Sequence, residues 1–477
     1  MTDIVFVNPP YEQISKGHDY VKHVTNRSPS VGLLFLAAQV RKGGYKPQII
    51  ESDVDNITPE EVVKRILKMK PRFVGITLFT VGVFNAAIIS RMLQKQAPEI
   101  TILVGGPHMS SMGMETMKKF NEFDIGVIYE GELIINDLLS AIDKSEDLST
   151  IAGLMYRQNG EIKVTPPPQS IENLDDLPIP AWDLLPNFPH GYLPAIFDYP
   201  RSPVATYAAS RGCPFKCLFC DTSTFGSKVR YNSPQKVYEI MKHLSDEYGI
   251  KHLQFIDDLF VANDAIVREL CELLIKDKID MTWSCTARVD TVKFETLKLM
   301  KEAGCWEISF GLESGDNKML RKMKKAITVE QSIRAVNWTH EAGIRVKGLL
   351  MLGYPGETNE SVKITTDFIK NIPLTTMNLS KFTPYPGSPI YKKLYNVAIK
   401  EEDWERLNGM NFVYEPEGLN FAELNREYKE TIKAFYKRKH ILKHYKKMVL
   451  SNPTHLLRLL RFFLGFLKSK VLKILNK

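Results

Sequence analysis

The chain has 477 residues, too many for one ordinary hydrophobic core, so two or three domains are expected. Hydrophobic residues make up 44% and charged residues 25%, with a formal net charge of +8 and no low-complexity tract or repeat, which fits a globular protein and is too mild to announce nucleic acid. No apolar run approaches the roughly 18 residues of a spanning helix, and the first apolar stretch stops at a double proline rather than continuing as a signal-peptide core.

From residue 1 to 145 strand and helix patterns alternate. The predicted strands are Ile4–Val7, Pro47–Glu51, Phe73–Thr77, Thr101–Val104 and Ile125–Tyr129. Between them lie helical patterns such as VGLLFLAAQVRKGG, which ends in glycine, and PEEVVKRILKMK, entered through proline. Five strands with helical crossovers predict an α/β unit, a doubly wound parallel sheet that binds ligands at its C-terminal strand ends. Those ends read NPPYE (8–12), TLFT (77–80), GGPHMSS (105–111) and YEGE (129–132), rich in the small residues that admit a ligand closely.

Residues 146–199 carry PPP at 166–168 and LDDLPIPAWDLLPNFP at 174–189, and the prolines predict a linker wrapping between domains. From 200 to 395 alternation resumes. Predicted strands are Val204–Ala209, His252–Ile256, Thr282–Thr286, Trp306–Gly311, Arg345–Met351 and Met377–Thr383, with helices between them. Six such units predict a partial (β/α)6 barrel with its chemistry at the C-terminal strand ends. Residues 396–477 read as a helical C-terminal region whose tail, PTHLLRLLRFFLGFLKSKVLKILNK, contains basic residues and no acid. Arg458, Arg461 and Lys468 share one helical face there. The tail suits either an interfacial helix on an anionic membrane or a helix packed on the barrel through its apolar stripe.

The first barrel strand leads into RGCPFKCLFC, which holds Cys213, Cys217 and Cys220. Six cysteines in all, with none before Cys213, suit a reducing cytosol and metal chemistry better than a disulfide framework. A four-thiolate zinc site or a closed iron–sulfur centre needs a fourth ligand, which is missing nearby. Three thiolates can instead hold three corners of a 4Fe-4S cubane and leave the last iron open, the alternative being three buried or zinc-binding cysteines. Cys271, Cys285 and Cys305 lie within helix or strand patterns and read as small buried residues.

In this context CPFKCLFC resembles the radical S-adenosylmethionine (radical SAM) superfamily, and residues 1–440 resemble its cobalamin-binding branch, which includes cobalamin-dependent methyltransferases and the anaerobic magnesium-protoporphyrin ester cyclase. The resemblance implies a Rossmann-like cobalamin-binding-type domain over 1–145 and a radical SAM barrel over 200–395. It also implies that the open iron chelates SAM, whose reductive cleavage gives methionine and a 5′-deoxyadenosyl radical. Phe219 would then pack beside a flat heterocycle. Asp257 and Asp258 of FIDDLF would hold the SAM amino group, and Arg288 of CTARVD would pair with its carboxylate. Glu313 of FGLESG would serve the ribose or amino group.

In the first domain Gly105 and Gly106 match the family's late glycine pair, and Thr77 opens a loose echo of its SxL motif. The DxHxxG loop is absent, because NPPYEQISKG supplies neither the motif's aspartate nor its histidine, so the resemblance implies base-off cobalamin without that ligand. His108 lies in the GGPHMSS loop, where it suits either the cofactor or a capping role. The implied function is methylation of an unactivated carbon of a small or lipid-like substrate, with a 4Fe-4S cluster, SAM and cobalamin as cofactors. The alternatives are a radical SAM oxidoreductase or cyclase without net methyl transfer and, more remotely, a non-catalytic metal-binding protein. An external electron donor such as flavodoxin or ferredoxin is expected, along with a cytoplasmic location, no nucleic acid, and peripheral membrane contact through the tail.

Overall fold

The computed structural model describes residues 2–11, 24–395 and 397–475. The N-terminal sheet contains β1 (Ile4–Asn8), β2 (Pro47–Glu51), β3 (Phe73–Thr77), β4 (Thr101–Gly105), β5 (Ile125–Val127), β6 (Leu154–Gln158) and β7 (Glu161–Val164). They are arranged in the order β2-β1-β3-β4-β5-β6-β7. The first five strands run parallel, as expected. Being covered on both faces, these strands are apolar at nearly every position. Ile4, Phe6, Phe73 and Leu103 pack against helices Val31–Lys42 and Ile135–Lys144, whereas Val5, Val7, Val74 and Ile102 pack against Pro59–Met69, Val83–Gln96 and Pro107–Lys119.

The sheet continues past residue 145 into the stretch expected to be linker. There β6 and β7 add antiparallel to β5 as a polar hairpin at the edge. The proline-rich residues that follow wrap between the two halves. Trp182 is fully buried in the core shared by both, and Ala181 donates its N–H to the Leu34 carbonyl at 3.2 Å.

The second sheet is all parallel: β8 (Val204–Tyr207), β11 (His252–Phe255), β12 (Thr282–Ala287), β13 (Cys305–Glu313), β14 (Arg345–Leu352) and β15 (Thr376–Lys381), in that spatial order. A short antiparallel pair, β9 (Ser210–Arg211) and β10 (Arg230–Tyr231), stands between β8 and β11 in sequence. Four of the outer helices begin at side-chain caps, supplied by Ser233, Asn263, Thr328 and Thr358. Leu253, Phe255, Trp283, Ile308, Phe310 and Val346 join the apolar core. Intervening positions such as Gln254, Thr286, Ser309 and Lys347 are polar and only partly covered, so the interior of the half-barrel presents polar groups. Cys271, Cys285 and Cys305 are buried.

After the barrel the chain crosses back onto the first domain. Trp404, Ile399 and Leu407 insert into its helical face, and Lys119 pairs with Glu401 at 2.6 Å. Helices Phe421–Tyr436, Lys439–Ser451 and Pro453–Leu475 close the chain. Among the described residues no helix is long and apolar enough to cross a membrane.

Candidate active site

The cysteine loop hangs from the β9–β10 pair, so its two ends are fixed across an antiparallel register of Arg211 on Arg230. Gly212 has φ +89, and a Cβ there would stand 2.4 Å from the Lys228 carbonyl oxygen, so glycine is required at this tight entry. Backbone bonds tie the loop down elsewhere: Cys213 N–H to Gly226 O at 3.2 Å, Leu218 N–H to Met323 O at 3.0 Å, and Ile390 N–H to Leu218 O at 2.9 Å. Cys217 is buried, Cys213 intermediate and Cys220 exposed.

Two cations flank the thiols. Arg288 Nη1 lies 4.0 Å from Cys217 Sγ, and its guanidinium stacks 3.5 Å above the Phe215 ring. Lys325 Nζ is 5.7 Å from the Phe219 ring centroid and bonds Glu313 Oε1 at 2.7 Å. Burial pushes the Cys217 thiol up, and Lys325 and Arg288 oppose that shift by favouring the thiolate. No three His, Cys, Asp or Glu side chains among the described residues converge on a single metal ion. A cubane sets its cysteine sulfurs on three separate irons, so one three-cysteine loop flanked by cations is a donor set that fits a 4Fe-4S cluster better than a lone zinc ion.

A cavity of about 740 Å³ opens between the C-terminal ends of the first sheet and the mouth of the half-barrel. Asn8, Thr77, Gly105, Gly106, Tyr129 and Glu130 line it from one side, and Thr206, Gln254, Asp257 and Asp258 from the other. Gly106 has φ +99, and a Cβ there would meet Thr77 Oγ1 at 2.9 Å and the Leu78 backbone at 3.1 Å. Glycine is therefore required at Gly106 by its backbone and by Thr77 and Leu78, and with Gly105 it puts backbone without side chains on the cavity wall, a surface that fits a flat cofactor laid on the strand ends.

The sequence-predicted residues divide into groups. Thr77, Gly105, Gly106, Asp257 and Asp258 share this cavity. Asp257 also holds the root of the cysteine loop, accepting from Ala209 N–H at 3.2 Å and Ser210 Oγ–H at 2.5 Å, and burial raises its carboxyl to about 7. Asp258 accepts the Gly212 N–H at 3.3 Å. Arg288, Glu313 and Phe219 gather instead around Cys217. The Arg288 fork expected to meet a SAM carboxylate is held bidentately by Asp290, at 2.9 and 3.0 Å. Phe219 packs against the small apolar cluster of Met319, Met323, Tyr354, Phe382 and Ile390.

His108 is not among the residues lining the cavity. It is 1% exposed, its Nδ1 is 3.0 Å from Thr80 Oγ1, and its ring meets Trp404 edge-on with centroids 4.6 Å apart. Burial lowers its pKa to about 3, so it is neutral at any ordinary pH. Sequence reasoning missed Lys325, which has no local signature, and a buried charge network behind the loop. There Arg211 bonds Glu130 at 2.7 Å and Glu132 at 2.6 Å, and Arg230 bonds the other oxygen of Glu130 at 2.6 Å. This network joins the YEGE loop of the first sheet directly to the base of the cysteine loop.

Residues 207–369 match the radical SAM superfamily, and residues 17–139 match the B12 binding domain. The chain is 31% identical over 441 residues to an uncharacterized methyltransferase of Pyrococcus horikoshii, covering 92% of this chain and 93% of that one. It is 25% identical over 448 residues to the anaerobic magnesium-protoporphyrin IX monomethyl ester cyclase of Rubrivivax gelatinosus, covering 92% and 78%. The fold matches the radical S-adenosylmethionine methyltransferase TsrM from Kitasatospora setae, solved with cobalamin and a 4Fe-4S cluster. That match has a TM-score of 0.68 and 18% identity, covering 83% of this chain and 78% of that one.

Proposed function

The chain belongs to the radical SAM superfamily, in the branch carrying a B12 binding domain, and from that premise we propose that it is a cobalamin-dependent methyltransferase acting on an unactivated carbon of a small or lipid-like substrate. The observation that carries this reading is the shared chamber: the Gly105–Gly106 cradle and the Asp257–Asp258 strand end face one cavity, and Asp257 and Asp258 also hold the root of the cysteine loop. When bound, the cluster with SAM would supply the 5′-deoxyadenosyl radical, and cobalamin the methyl group. Cys213, Cys217 and Cys220 would hold the cluster. Lys325 and Arg288 would offset its negative charge, and Phe215 and Phe219 would keep water from its inner side. Asp257 and Asp258, which line the cavity wall, would receive an ammonium group there.

The exposed Cys220 side of the loop is the edge at which an external one-electron donor, flavodoxin or ferredoxin in type, would approach. We include peripheral contact with a membrane surface in the proposal.

Anaerobic turnover with SAM and a strong reductant tests the reading. S-adenosylhomocysteine accumulating alongside 5′-deoxyadenosine is expected. Production of 5′-deoxyadenosine alone would contradict methyl transfer and favour the cyclase or oxidoreductase reading, which the near full-length similarity to the cyclase keeps in view.

A further inference from the structure

The C-terminal helix Pro453–Leu475 is not packed on the protein through its apolar stripe. Arg458, which shares a helical face with Arg461 and Lys468, points inward and is 6% exposed. Its guanidinium donates to the Pro194 carbonyl at 2.7 Å, the Thr25 carbonyl at 2.9 Å and the Tyr199 hydroxyl at 3.0 Å. His455, one turn earlier, is fully buried against Phe197 and Tyr199. The helix is thus fastened through its polar side, and its apolar side faces outward.

Leu456, Leu457, Leu460, Phe463, Leu464 and Leu467 are each between 46% and 65% exposed. Their spacing of three and four residues places them in one stripe about 120° wide, with the exposed Arg461 at its rim. A stripe of six large apolar side chains is far from the scattered exposure of an ordinary surface. The charge of the segment that carries it has one sign. Residues 431–477 contain 13 lysines and arginines and no aspartate or glutamate. Lys477 and the side chains of Lys468, Lys470 and Lys473 lie outside the described residues.

We propose that this helix seats the enzyme on an anionic lipid bilayer, with the leucine and phenylalanine stripe in the interfacial layer and the cations among the headgroups. An outward apolar stripe with a cationic rim, on a helix unable to span a bilayer, is the signature of an in-plane helix. A second copy of this chain would bring the same cations face to face, which disfavours self-association as the occupant. The seat also reaches the active site. Arg458 is bonded to Thr25, and the next residues of that segment, Asn26, Ser28 and Ser30, line the 740 Å³ cavity. A substrate dissolved in the bilayer would therefore meet the cavity wall beside the seated helix. This deepens the membrane contact of the proposed function and rests on it, but binding is read without any cofactor or turnover.

Flotation of the full chain with vesicles tests it. Wild-type protein is expected to float with phosphatidylglycerol–phosphatidylcholine vesicles and at least tenfold less with pure phosphatidylcholine. The double variant Leu460→Glu, Leu464→Glu alters only exposed positions and is expected to lose at least tenfold in vesicle binding, with thermal unfolding and SAM cleavage unchanged. Absence of vesicle binding, or binding unaffected by the double variant, would overturn the proposal. So would a wild-type dimer in sedimentation that becomes monomeric in the double variant without any lipid binding, because the stripe would then be covered by a second copy.

Discussion

Alanine at any one of Cys213, Cys217 and Cys220 is expected to reduce 5′-deoxyadenosine formation to the level seen without protein. A cubane held at three corners has no spare protein ligand, so losing one sulfur removes cluster and radical chemistry together. The fold should survive. The loop is held by backbone bonds from Cys213, Leu218 and Ile390 and by the carboxylates of Asp257 and Asp258, none of which uses a cysteine sulfur. Stability is therefore expected to change by no more than about 1 kcal/mol, so loss of activity reports the cluster and not unfolding. Iron analysis and SAM cleavage check this together. A triple Cys→Ala variant that still makes 5′-deoxyadenosine would show that these residues do not hold the cluster.

The largest stability effect is expected at Arg211. Its two amino nitrogens meet Glu130 and Glu132, both side chains are 6% exposed or less, and the guanidinium is held between the Phe35 and Phe225 rings. Arg211→Ala leaves Arg230 on Glu130 but removes the only ion-pair partner of Glu132 among the described residues. A buried carboxylate deprived of its partner typically costs about 3–5 kcal/mol, and chemical denaturation should read a loss of that order. Arg211→Met combined with Glu132→Leu removes both charges at once and should recover part of it, because the penalty comes from the uncompensated ion and not from the absence of a salt bridge. A loss under about 1 kcal/mol for Arg211→Ala would mean that water reaches Glu132 and that the network does not bind the two halves.

Much of this architecture was legible because buried parallel strands leave short apolar runs between helical patterns. Strands β2 and β3 fall where the sequence places them, and most of the others agree to within one or two residues at each end. The hairpin β6–β7 was hidden: it is a polar edge, and the prolines after it drew the whole stretch toward a linker. In the site, the cysteine spacing announced its chemistry without help from the fold. The Arg288–Asp290 pair was present in the letters RVD, since alternate residues after a strand can share a side. By contrast, Arg211 and Glu132 are 79 residues apart, and only the docking of the two halves brings them together. The same holds for His108, whose burial depends on Trp404 returning from the C-terminal region. The tail sequence carried its charge and its apolar content but not its orientation, which Arg458 sets through carbonyls that no local pattern reveals.

The most direct test of the central claim is the cofactor content of protein produced with cobalamin and reconstituted anaerobically with iron and sulfide. Visible spectroscopy and iron analysis on one sample would read both groups. About four irons and about one base-off cobalamin per chain are expected, the former from a single cubane on three cysteines and the latter from a B12 binding domain without its histidine loop. Four irons with no cobalamin would contradict methyl transfer through this domain and leave the Gly105–Gly106 cradle as a site for something else.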